Sequence, residues 1–135
     1  MSEWIETTLG DVINLKRGYD LPERERQKGS IPIYSSSGIS GFHNSYKVLN
    51  PGVVTGRYGT IGNIFLSDTP FWPLNTTLYV QSFKGNNEVF IYYFLKQIEW
   101  SKFNDKSAVP GVNRNDIHQE NVRLPPLKEQ LADYF

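Results

Sequence analysis

Short apolar runs separated by Gly, Pro and Asn occupy the middle of the chain: IPIYSSSG, YKVL, GVVTGR, IGNIFLS and TTLYVQSF all fall between residues 31 and 83. Runs of this length, rich in Ile, Val, Tyr and Thr and bounded by such breakers, read as β-strands. On either side the spacing changes. Thr8 precedes a short helical turn through LGDVIN, with Asp11 three residues on completing a capping-box pattern and Gly18 stopping the turn. The polar segment 21–30 reads as an exposed loop or short helix. After Asn86 or Asn87 the run EVFIYYFLKQIEWSKF predicts a helix, on the strength of its length and of a polar face at Lys96, Gln97 and Glu99. Asn113 caps a turn NRNDIHQ, NVRLP forms a strand ended by Pro125 and Pro126, and LKEQLADYF opens an amphipathic helix with Leu127, Leu131 and Tyr134 or Phe135 on one face. The expected class is mixed α/β, with a curved, largely antiparallel sheet and a few short helices.

At 135 residues the chain is expected to form one domain with a substantial core. It has no cysteine, which removes disulfide and thiolate chemistry and fits a reducing cytoplasm. No secretory pattern opens the chain, and VFIYYFL is too short to span a bilayer, so the expectation is a cytoplasmic protein without a membrane partner.

Net charge is zero, yet its distribution is uneven. Residues 26–87 hold five cations, Arg26, Lys28, Lys47, Arg57 and Lys84, against the single acid Asp68, a net of +4. Such a basic stretch inside a neutral chain suits a polyanion, and ordinary scatter of surface charge competes with that reading.

The glycines of GVVTGRYGTIGNIF raise the question of a phosphate loop. A dinucleotide loop needs G-x-G-x-x-G between strand and helix, and a Walker loop needs Gly-Lys-Ser/Thr. Here Gly56, Gly59 and Gly62 are three apart and the flanks read as strands, so they are expected at hairpin and bulge positions. Catalytic patterns are equally lacking. His43 and His118 have no third ligand at metal spacing, and the Ser35, Ser36, Ser37 cluster before Gly38 is a turn rather than a nucleophile elbow. LPPL at 124–127 lacks the polar first and aromatic last residues of an adenine-methyltransferase motif. No enzyme and no cofactor are read.

Several separated motifs, IPIYSSSGISGF, GVVTGRYGTIGN, FWPLNTTLYV, FIYYFLK, SAVPGVNRNDI and VRLPPLKEQ, occur in one order. In that order the chain resembles the specificity subunits of type I restriction–modification systems, and in extent one target recognition domain, from about residue 4 to residue 130. The resemblance implies a target recognition domain over 1–124 and the start of a spacer helix over 125–135. It further implies sequence-specific binding of one half of a bipartite double-stranded DNA target, without catalysis. Partners would be modification subunits, which methylate adenine with S-adenosylmethionine, restriction subunits, and a second copy of the chain. A protein–protein assembly module is the competing class.

Base and phosphate contacts call for Arg, Lys, small hydroxyls and aromatics presented from loops. Candidate DNA contacts are Arg57, Tyr58, Ser36, Ser37, His43, Lys47, Lys28 and Arg114. Trp4, Trp72 and Trp100 are expected in the core.

Overall fold

Alternate residues of the central strands are buried on opposite sides, and this two-sided burial sets the architecture. The computed structural model describes residues 4–49, 51–57, 62–103 and 114–131. The strands are β1 (Ile5–Thr8), β2 (Asn14–Arg17), β3 (Ile31–Ser35), β4 (Gly38–His43), β5 (Gly52–Gly56), β6 (Ile64–Ser67), β7 (Trp72–Pro73), β8 (Thr77–Ser82) and β9 (Asn121–Leu124). The helices are α1 (Leu9–Val12), α2 (Glu88–Lys96), α3 (Arg114–His118) and α4 (Leu127–Gln130). An antiparallel four-stranded sheet runs β2-β8-β5-β6, a three-stranded sheet runs β4-β3-β7 with β3 and β7 parallel, and β1 pairs with β9.

One face of the four-stranded sheet, with Leu15, Val53, Ile64, Leu78 and Val80, packs against Leu9, Val12, Phe90, Ile91, Leu95 and Ile117 from the helices. The opposite face, with Val54 and Tyr79, meets Tyr34 and Phe71 of the three-stranded layer. Neighbours in sequence therefore enter different cores: Val53 and Val54, Leu78 and Tyr79, Ile33 and Tyr34. A strand covered on both faces reads as a continuous apolar run.

The expected mixed α/β class with largely antiparallel pairing holds, divided among three sheets. Several local expectations do not. The turn at residue 9 ends at Val12, because Ile13 is extended and β2 follows. The Thr8 hydroxyl donates to the Asp11 carboxylate (3.3 Å) and caps no backbone N–H, so there is no capping box. Gly18 stops no helix. A Cβ there would lie 2.1 Å from the Leu74 carbonyl oxygen, so glycine permits the two backbones to touch. YKVL forms only an isolated bridge, Val48 to Phe71, and β4, rich in glycine, takes its place beside β3.

The helix expected over 88–103 stops at Lys96, and a separate 3-10 turn covers Trp100–Phe103. The Trp100 indole N–H donates to the Leu95 carbonyl (2.9 Å), satisfying a helix-end acceptor with a side chain from beyond the break. Asn87 is the α2 N-cap, its Oδ1 accepting from the Phe90 N–H at 2.8 Å. Trp72 and Trp100 are buried as expected. Trp4 is not a core residue: it is half-buried, and its indole N–H donates to Glu129 Oε2 (2.7 Å). The cap expected at Asn113 lies outside the described residues.

Candidate nucleic-acid interface

The backbone segment 71–74 gathers two parts of the chain that are distant in sequence. The Tyr19 N–H donates to the Pro73 carbonyl (2.8 Å), and the Lys47 N–H donates to the Phe71 carbonyl (3.0 Å). In β2, Lys16 is paired with Tyr79 of β8. These anchors place the Lys16 Nζ 5.5 Å and the Lys47 Nζ 5.3 Å from the centre of the Tyr19 ring, and Lys47 also lies 5.0 Å from the Trp72 ring. Lys16 and Lys47 are exposed, whereas Tyr79 is buried.

The Tyr19 and Tyr79 hydroxyls are 2.6 Å apart. Burial, and then the bond to Tyr19, push the Tyr79 phenol well above its ordinary range. The Tyr79 bond, reinforced by Lys16 and Lys47, pulls Tyr19 below its usual value against a smaller opposing effect of burial. Either hydroxyl can donate in this bond. Two ammonium groups thus stand beside one phenol ring, cationic donors suited to an anion such as a phosphate oxygen.

Arg57 adjoins this cluster through the same turn. Its N–H donates to the Thr76 carbonyl (2.8 Å) and its Nη1 to the Asn75 carbonyl (2.6 Å), while Gly18 donates to the Thr77 carbonyl (3.0 Å). The guanidinium therefore has a backbone partner. The glycines around it divide: Gly62 has φ +97°, as a turn requires, whereas Gly56 lies within β5 opposite Thr77. β5 and β6 pair antiparallel, so among the described residues a strand follows this segment where a nucleotide loop would need a helix.

The other sequence candidates scatter. Ser36 and Ser37 form the tight β3–β4 turn, with the Ser37 N–H donating to Ser35 Oγ (3.3 Å). Lys28 is exposed in the loop before β3, and Arg114, exposed at the start of α3, donates from Nη1 to the Leu15 carbonyl (3.3 Å). His43 is only 6% exposed; its Nδ1 accepts from the Gln27 N–H (3.0 Å) and its ring meets Trp72 edge-on. That position gives His43 a packing role. Tyr58 and Gly59 lie outside the described residues. Lys16 and Tyr19 were missed by sequence reasoning, since they sit in the acidic first quarter of the chain and only their pairing with β8 and the 71–74 segment brings them to Lys47.

A separate groove of about 670 Å³ lies between α2 and β9, lined by Trp4, Phe94, Ile98, Lys102, Glu120 and Arg123. It carries both signs of charge, and Lys102 is already bonded to Glu120 at 2.6 Å, so it does not suit a polyanion. Among the described residues no group of three His, Asp or Glu side chains is gathered as a metal site, and no helix is long and apolar enough to cross a membrane.

A family model described as the type I restriction modification DNA specificity domain matches residues 1–134. The chain belongs to this family. The fold of the specificity domain is similar to that of the type I restriction–modification S subunit from M. genitalium, with a TM-score of 0.81 at 17% identity over 96% of this chain and 36% of that one. It is similar also to the HsdS subunit from Thermoanaerobacter tengcongensis (TM-score 0.69, 16% identity, 94% and 34% covered). A chain from a structure of type I R-M complex assembly and conformational transition gives a TM-score of 0.73 at 15% identity, with 94% and 35% covered. The specificity domain thus spans about a third of the length of these subunits. No curated protein matches it.

Proposed function

We propose that this specificity domain is a non-enzymatic module that binds double-stranded DNA sequence-specifically, reads one half of a bipartite target and directs modification and restriction subunits to it in the cytoplasm. The family match over residues 1–134 carries the reading. The Lys16, Tyr19 and Lys47 cluster supplies the phosphate anchor, which sets position without reading sequence. Arg57 and the Ser36 and Ser37 turn are the candidates for base reading; Arg57 is held at the same end of the sheet through residues 75–76. Lys28 and Arg114 supply peripheral charge.

Selection of bound duplexes from a random library, with and without the modification subunit, tests the proposal. Enrichment of one short half-site is the expected result, and the purified chain neither methylates nor cleaves DNA when given S-adenosylmethionine, ATP and magnesium. A second reading, an assembly module that modulates a full specificity subunit, draws on the exposed Leu127 of α4 and Leu131 just after it. Capture of the partner subunits without any enriched half-site would favour it.

A further inference from the structure

Hydrogen bonds rather than apolar packing hold α4 to the rest of the domain. Leu127 and Leu131 are 48% and 62% exposed, whereas Gln130, the buried residue of α4, is 3% exposed. Both polar atoms of its carboxamide are engaged. Oε1 accepts from the Asn87 N–H (2.8 Å), and Nε2 donates to Asn86 Oδ1 (2.8 Å) and to the Pro125 carbonyl (3.1 Å). Asn86 continues the network inward, donating from Nδ2 to the carbonyls of Val12 (2.8 Å) and Phe83 (3.0 Å). The neighbouring Glu129 accepts from the Trp4 indole, so α4 is tied at a second point to the N-terminal segment.

A buried amide with both polar atoms bonded favours one geometry, because rotation of the helix would strand several polar groups away from water. Apolar contacts alone would tolerate sliding. We infer that Gln130, assisted by Glu129, is a positioning residue that fixes the direction in which α4 leaves the domain. This inference rests on the proposed reading of 125–135 as the start of a spacer helix, in which case the same clamp sets where a partner domain and its half-site lie.

The chain has no cysteine, so Ile39→Cys and Lys128→Cys, both at exposed positions, carry the only two nitroxide labels in the full chain. Double electron–electron resonance then reports the orientation of α4 against the three-stranded sheet. One narrow distance distribution is expected with Gln130 in place. Gln130→Met, of similar length but without hydrogen bonds, is expected to broaden or shift that distribution while cooperative thermal unfolding and half-site affinity are retained. Gln130→Ala serves as a second variant if Gln130→Met does not fold. An unchanged distribution overturns the inference, and so does loss of cooperative folding in both variants, which would make Gln130 a fold residue rather than a positioning one. Failure of the unsubstituted chain to bind duplex would defeat the proposed function while leaving the distance result to stand or fall separately.

Discussion

Removing both ammonium groups around Tyr19 tests the anchor most directly. In Lys16→Met with Lys47→Met the aliphatic stems remain and the two charges go. Both Nζ atoms lie within 5.5 Å of one ring centre, close enough to serve adjoining phosphates on one strand. Each neutralised phosphate contributes about 0.9 to the slope of log affinity against log salt in B-form DNA, so the double variant should lose about 1.8 of slope. Over a salt increase from about 50 to about 200 mM, that difference shrinks the affinity gap between wild type and variant about tenfold. Fluorescence anisotropy of a labelled duplex across that range measures it. Three exposed cation–π contacts of about 0.5–1 kcal/mol each go with the two charges, so the thermal midpoint should also fall by several degrees. Parallel salt lines for wild type and variant would refute the anchor, whatever the absolute affinity.

Arg57→Ala removes a charged donor from the Asn75 carbonyl and should cost about 1–2 kcal/mol of stability, read by urea unfolding; preference relaxed at one base position marks base reading, and a uniform loss with a shallower salt slope marks phosphate contact. His118 accepts the Leu15 N–H on Nε2 (3.0 Å), and burial, then Arg114 and Lys84, hold its pKa below 6.5. Below pH 6.5 the unfolded chain takes up a proton that the folded chain refuses, so the thermal midpoint should fall as pH drops through that range, and His118→Gln should flatten the dependence. Thr55 Oγ1 is buried without a hydrogen-bond partner among the described residues, so Thr55→Val should raise stability by about 1 kcal/mol, and a lower midpoint would contradict that assignment.

Local chemistry was enough to make β5, β8 and α2 legible. The apolar, β-branched runs of β5 and β8 fit one element each, and Asn87 marks the α2 start by its own side chain, although the run expected as one helix to residue 103 breaks after Lys96. Where residue preference was weak, pairing decided. β4 is a strand because it lies antiparallel to β3, although Gly38 and Gly41 adopt positive φ. β2 was hidden behind a helix-like start, and its identity comes from β8. The candidate site divides in the same way. The charge excess of residues 26–87 pointed to Lys47 and Arg57 from sequence alone. Lys16 and Tyr19 come from a stretch whose own balance is acidic, and no local pattern distinguishes them. They meet Lys47 because Gly18 lets the chain touch the Leu74 backbone and because Tyr19 and Lys47 donate to carbonyls of one short segment. Composition determines how many cations the chain has, but backbone hydrogen bonds between distant segments determine which of them stand together.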